Sequence, residues 1–301
     1  MNAPHEANDS LTYANPSPAP DPAAFTPMSV GQILDRTFRL YRANFLRFVT
    51  VAAVVQVPLS LVGAFAMFPM KRLIDPQTGK LAMDAEHPDL DRIVTIALLS
   101  LGTLFLFVLI AVIAQTLSAG ALAKSVSEAY LGRSATVSEV YRCILPRFWP
   151  LLGSALLTAL AVGAGYMFCV VPGVVFSVWF AMTTPAIVVE ELGAVDGMSR
   201  SKQLVSGNLG RMFSVGLVVF LLAIVVQLVP DILASWVSKM IAMQGHALLS
   251  STVEQFMMLP GQLILAPVGS IAIVLMYYDL RIRKEGFDLE MLARSLHRQK
   301  P

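Results

Sequence analysis

Residues 93–117 read IVTIALLSLGTLFLFVLIAVIAQTL, a run of 25 residues without one charged side chain. A helix rises about 1.5 Å per residue, so about 20 apolar residues cross the roughly 30 Å hydrocarbon layer of a bilayer. This run is long enough to cross, and it has no polar face to turn toward water. A helix also satisfies its own backbone N–H and C=O groups, which hydrocarbon requires. The stretch therefore reads as a transmembrane helix.

The same pattern recurs along the chain. Six spans are expected, at 45–68, 93–117, 148–170, 174–189, 212–236 and 256–278. The third and fourth are joined by a short link containing Pro172-Gly173, a turn signal, and the fourth carries Pro185. A re-entrant pair in place of these two, leaving four full spans, is the alternative. The composition agrees. Of 301 residues 56% are hydrophobic and 14% charged, with mean hydropathy +0.67. A soluble domain averages about 25% charged residues. The expected class is an all-α polytopic transmembrane helical bundle, with amphipathic interfacial helices on the cytoplasmic face.

Residues 1–27 hold six prolines and no apolar core, and read as a disordered tail. The first span would then serve as an uncleaved insertion signal. Residues 28–292 read as one membrane domain and 293–301 as a C-terminal tail. Net charge is +2, which gives no reason to expect nucleic acid. Cys143 and Cys169 fall toward opposite sides of the bilayer, so neither a disulfide nor a metal-ligand spacing is expected.

The distribution of basic residues sets the orientation. Of the 22 Lys and Arg, 17 lie in the tails and in the second and fourth connections. By the positive-inside rule both termini are cytoplasmic, whether the spans number six or four. The expected location is a bacterial inner membrane.

The segments before the odd-numbered spans share a pattern. Before the first, Val30, Ile33, Leu34, Thr37, Phe38 and Tyr41 make one helical stripe, opened by the capping-box sequence Ser29-Val30-Gly31-Gln32. Before the third, Val137, Val140, Tyr141, Ile144 and Leu145 repeat it behind Thr136-Val137-Ser138-Glu139. Residues 196–205 are a weaker version, ended by Gly207. Helices lying flat, apolar face on acyl chains and basic face on anionic headgroups, are expected, giving three helix-plus-hairpin units.

Chemistry-bearing residues are scarce inside the spans. Gln56, Gln227, Asp231 and Gln262 are the candidate polar membrane residues, with Gln115 near the inner interface. Bonds to neighbouring helices are the plainer account of the glutamines. The histidines are scattered, no phosphate loop, nucleophile elbow or zinc motif is present, and no cofactor or metal is expected. The acidic connection around Asp84, Glu86, His87, Asp89 and Asp91 reads as a solvated loop. The cytoplasmic candidates are Asp35, Arg36, Arg39 and Arg42 before the first span, and Asp279, Arg281, Arg283, Lys284, Glu285 and Asp288 after the last. Asp279 can pair with Arg283 at i+4. The plainer reading of the second group is a basic stop followed by a surface helix. The functional one is a docking site for a cytosolic partner or an anionic lipid.

The ending YYDLRIRKEGFDLE (277–290) resembles the terminal signature of bacterial membrane proteins related to the membrane domain of glycerophosphoryl diester phosphodiesterase. The opening GQILDRTFRLYRANF (31–45), Pro172-Gly173 and the stretch 190–208, with Arg200-Ser201 and Leu204, are similar too. The resemblance covers about residues 28–292 and implies an architecture. The soluble catalytic barrel of those phosphodiesterases and its His-Arg start are absent from this sequence, so the resemblance carries no activity. The expectation is a non-catalytic membrane protein that organises lipids, anionic ones above all, or a protein partner through its basic cytoplasmic face. The alternative is a transporter or permease subunit for a small or lipid-like solute.

Overall fold

The computed structural model describes residues 28–73 and 90–285, and every regular element among them is helical. In chain order these are α1 (Val30–Ala43), α2 (Phe45–Leu73), α3 (Leu90–Tyr130), α4 (Val137–Ile144), a 3-10 turn (Leu145–Arg147), α5 (Phe148–Phe168), α6 (Val170–Phe180), α7 (Thr183–Glu190), α8 (Ala194–Val205), α9 (Leu209–Met243) and α10 (Ala247–Glu285). Among the described residues six helical segments are long and apolar enough to cross a membrane. The fold is an all-α helical bundle of the polytopic kind.

Local chemistry fixes the starts of the short helices. Ser29 and Gln32 form a reciprocal capping box on α1, with the Ser29 amide donating to Gln32 Oε1 at 2.6 Å. Thr136 and Glu139 do the same on α4, at 2.7 Å from the Thr136 amide to Glu139 Oε2. Each box satisfies two N–H groups that a helix start leaves unpaired. α8 begins without a side-chain cap and has Asp196 in its first turn, where the helix dipole favours an anion.

The long helices overrun their apolar windows. α3 continues past Leu117 to Tyr130, and Lys124, which interrupts the apolar run, pairs with Glu128 one turn on at 2.7 Å. The fourth expected span is two helices, broken at Ala181 and Met182, and Pro185 stands in the first turn of α7, where no intrahelical bond is lost. Pro172-Gly173 is not the turn. Both residues lie inside α6, and the chain reverses at Cys169, whose backbone is extended (φ −172°, ψ 158°). Gly173 serves close packing instead: a Cβ there would meet the Tyr166 ring at 2.5 Å.

The packed core lies at the end of the bundle that holds Met28 and Glu285, here the proximal end. Phe48, Val51, Leu122, Val126, Ile144, Leu151, Met182, Ile187, Leu204, Ile271 and Leu275 are all buried there. Toward the distal end the apolar side chains turn outward instead. Leu98, Leu101, Phe105, Leu160, Val225 and Val229 are exposed, an apolar coat far larger than water tolerates and ordinary in lipid.

The element order runs short helix, long helix, long helix, with the last member divided into α6 and α7 in the middle set. α2 packs on α3, α5 on α6 and α9 on α10. Each short helix also packs on the last helix of the preceding set: α4 on α3, α8 on α7, and α1 on α10, which closes the ring. Most of the stripe on α1 therefore lies on protein rather than on acyl chains, with Phe38 left exposed at its edge. Ile33, Thr37 and Tyr41 are buried, and the Tyr41 hydroxyl donates to the Ile264 carbonyl at 3.1 Å. Likewise Val140 and Ile144 of α4 are buried, and the Tyr141 hydroxyl donates to the Val51 carbonyl at 2.8 Å. A helical stripe shows that one face is apolar, and here protein covers its centre while Phe38 and Leu145 stay exposed.

Candidate functional site at the proximal end

The last three turns of α10 organise the polar residues of the proximal end. Asp279 is 0% exposed. Its carboxylate accepts the Met28 amide at 2.7 Å, pairs with Arg211 of α9 at 3.1 Å, and accepts Arg283 Nε at 3.0 Å. The Met28 carbonyl in turn accepts from both Arg283, at 2.9 Å, and Arg211. The chain just ahead of α1 is thus held on both its amide and its carbonyl. Arg36 lies over the Tyr130 ring, 5.1 Å from its centroid, and its NH1 approaches the Met28 sulfur at 3.6 Å.

A second cluster centres on Glu190, the last residue of α7. Arg200 Nε of α8 reaches both its oxygens, at 3.0 and 2.8 Å, and the Tyr277 hydroxyl donates to it at 2.6 Å. Arg281 Nε lies 3.8 Å away. Arg200 also reaches Glu285 at 2.8 Å, so one guanidinium ties α7, α8 and α10 together. It is held above its ordinary pKa, chiefly by that hydrogen bond to Glu285, with Glu190 adding to the effect and burial opposing it. Lys284 donates to the Gln203 and Ser206 carbonyls at the end of α8, where a helix leaves carbonyls unpaired. Ser127 and Tyr278 share a 2.6 Å hydrogen bond, and the Tyr130 and Tyr278 rings stack at 4.9 Å.

Two tight contacts support this cluster from behind. Arg147 donates to the Val188 carbonyl at 3.2 Å and pairs with Glu191, whose φ of 60° puts a non-glycine residue in the left-handed region. Gly197 of α8 lies so close to α7 that an added Cβ would meet Ile187 Cγ1 at 2.4 Å.

The cytoplasmic candidates therefore divide. Asp279, Arg281, Arg283, Lys284 and Glu285 are engaged with other helices, which uses their charges internally; Asp288 lies outside the described residues. Asp35 and Arg39 are exposed and paired with each other at 2.7 Å, and Arg36 is half-buried on Tyr130. Arg42 is exposed. So are Arg142, Lys202 and Arg133, which the sequence reading did not single out as candidates. One turn beyond Arg42 stand exposed Phe45 and Leu46, and one and two turns beyond Arg142 stand exposed Leu145 and Trp149.

The polar membrane residues are not gathered into one place. Gln56 is buried and donates to Gln115 Oε1 of α3 at 3.3 Å. Gln227 donates to Asp231 at 3.0 Å on its own helix, and its Oε1 lies where a Cβ on Gly261 of α10 would stand. Gln262 is half-buried on α10. The sequence reading missed a further polar group, Ser238 of α9, which donates to Glu254 at 2.7 Å and shares a 2.9 Å bond with Ser250. Glu254 stood just outside the expected sixth span, which concealed it.

Among the described residues no group of three or more His, Cys, Asp or Glu side chains is arranged to hold a metal ion. No curated protein and no solved structure matches the chain. Nothing in these comparisons connects it to the membrane domain of glycerophosphoryl diester phosphodiesterase. What does match is a family model covering residues 28–280, nearly the whole of the helical bundle just described, and the chain accordingly belongs to the family known as the domain of unknown function DUF7847.

Proposed function

We propose that this chain is a non-catalytic inner-membrane protein that organises anionic phospholipids around its basic proximal face, with that face and both termini in the cytoplasm. The observation that carries the reading is the pairing of an exposed cation with exposed apolar side chains one or two turns further along. Arg42 precedes Phe45 and Leu46, the latter 76% exposed, and Arg142 precedes Leu145 and Trp149, the latter 74% exposed. Such a step sets a guanidinium at phosphate level and the apolar groups among the acyl chains, with Trp at the interface. Each basic residue near an anionic surface contributes about 1 kcal/mol of attraction.

The ionic core of the proximal end supports the same reading in another way. It ties the start of α1 to α7, α8, α9 and α10, and so links the helices that carry Arg42 and Lys202. The permease alternative has less support, because Gln56 bonds to α3 while Gln227 packs on α10.

The test is lipid retention. Purified protein is placed in mixed phosphatidylglycerol and phosphatidylcholine micelles, and the copurifying lipid is counted by native mass spectrometry. Several-fold enrichment of phosphatidylglycerol is expected, reduced when Arg42, Arg142 and Lys202 are changed together to Gln. Equal retention of the two lipids overturns the proposal.

A further inference from the structure

We propose that the α5–α6 hairpin is re-entrant: it dips into the bilayer from the proximal side and turns within the hydrocarbon, so that acyl chains clothe its tip. The crossing of the membrane is then done by α2, α3, α9 and α10.

Reach is the first argument. Leu151 near the base of α5 packs directly on Gly120 of α3, where a Cβ would lie 2.8 Å from Leu151 Cδ1. From that shared level α5 runs to Phe168, about 17 residues or roughly 26 Å, whereas α3 runs to Val94, about 26 residues or roughly 39 Å. A second pair of helices gives the same result. Glu190 of α7 and Tyr277 of α10 touch at 2.6 Å. From there α7 and α6 reach Val170 in about 20 residues, while α10 reaches Leu249 in about 28. Both comparisons leave the hairpin roughly 12 Å short of its neighbours, and the break at Ala181 and Met182 can only shorten it further.

The tip itself suits hydrocarbon. Residues 148–189 contain no charged side chain. Around the turn Met167 is 91% and Phe168 88% exposed, and Tyr166, Val170 and Val171 are exposed with them. An aqueous connection would set all five in water. The other two distal connections and the helix ends that flank them read differently, with Lys71 and Arg72 at the end of α2 followed by Lys80 and several acids, and Lys239 near the end of α9 followed by Gln244 and His246.

The backbone supplies the third argument. Irregular chain exposed to lipid is excluded because its N–H and C=O groups find no partner there. Here the reversal takes one non-helical residue, Cys169. Its N–H donates to the Gly165 carbonyl at 3.0 Å, and its carbonyl accepts the Gly173 N–H at 3.4 Å. Gly165 and Gly173 allow the two arms to close, since a Cβ on Gly165 would lie 2.9 Å from Gly173 Cα. Both backbone groups of the one non-helical residue are therefore paired within the hairpin.

Cys169 is also the means of testing this, since it is exposed and Cys143, the other cysteine, can be changed to Ser or, separately, to Ala. A bimane fluorophore is attached to Cys169 in detergent and the protein is reconstituted into phosphatidylcholine vesicles. Quenching is then compared for nitroxide at the lipid headgroup, nitroxide at mid-chain, and iodide in the water. A protein lacking both native cysteines and carrying Lys239→Cys provides a comparison at the distal end of α9. The Cys169 probe is expected to be quenched at least twofold more by mid-chain than by headgroup nitroxide and hardly at all by iodide, with the reverse order at position 239. Quenching at Cys169 by headgroup nitroxide and iodide to the extent seen at 239 overturns the proposal.

Discussion

Asp279 accepts a hydrogen bond from the amide of Met28 at 2.7 Å, across 251 residues of chain, and the carboxylate that does so is wholly buried. A buried carboxylate is tolerated because Arg211 and Arg283 compensate its charge. Asp279→Asn keeps the shape and removes the charge, leaving two guanidinium groups without their counterion. Breaking such a buried pair from one side costs about 3–5 kcal/mol. The thermal midpoint in detergent is expected to fall sharply for Asp279→Asn. It is expected to fall much less for Asp35→Asn, whose exposed pair with Arg39 is worth under about 1 kcal/mol. Equal effects from the two substitutions would show that the buried site is not a structural tie.

Gly197 provides a packing test of the α7–α8 contact. A Cβ at this position would stand 2.4 Å from Ile187 Cγ1, a fully buried side chain with little room to yield. Overpacking of this kind costs about 1–3 kcal/mol. Gly197→Ala is therefore expected to destabilise the protein, and Ile187→Ala is expected to restore part of the loss by removing the opposing atoms. The coupling is read from a double-mutant cycle of unfolding midpoints, and additive losses would refute the contact.

The helices were legible in the sequence to the extent that their causes are local. The Ser29–Gln32 and Thr136–Glu139 boxes depend on spacing alone, and both form. The same holds for Asp279 and Arg283 one turn apart. The lengths were not legible, because hydropathy reports lipid contact and not helicity. Lys124 and Glu128 ended the apolar window of α3 without ending the helix. The clusters at the proximal end were beyond reach for another reason. Met28 with Asp279, and Glu190 with Tyr277, are neighbours only after the ring of helices closes, and no periodicity encodes a contact between distant segments. The stripe on α1 likewise showed an apolar face without showing that α10, rather than lipid, covers it.

Gln56 and Gln115 distinguish packing from permeation. They share a 3.3 Å hydrogen bond between α2 and α3. Interhelical hydrogen bonds in membranes average about 0.6 kcal/mol, so each single change to Leu is expected to cost little. Because both changes remove the same bond, Gln56→Leu with Gln115→Leu should cost less than the sum of the two. A pair that instead lined a hydrated path would show no such coupling in unfolding midpoints, and the double variant would alter solute leakage from vesicles.

The sidedness of the chain can be read directly from accessibility. The positive-inside argument rests on 17 of 22 basic residues falling on one side. It places residue 80 in the outer connection and residue 290 in the cytoplasm. In a cysteine-free background, Lys80→Cys is expected to react with a membrane-impermeant maleimide on intact cells, and Glu290→Cys only after the membrane is opened. The reverse pattern would invert the protein and carry Arg42, Arg142 and Lys202 to the outer surface. The anionic leaflet invoked for lipid organisation would then be the wrong one. Labelling of both positions on intact cells would mean an odd number of crossings, which neither six spans nor four with a re-entrant hairpin permits.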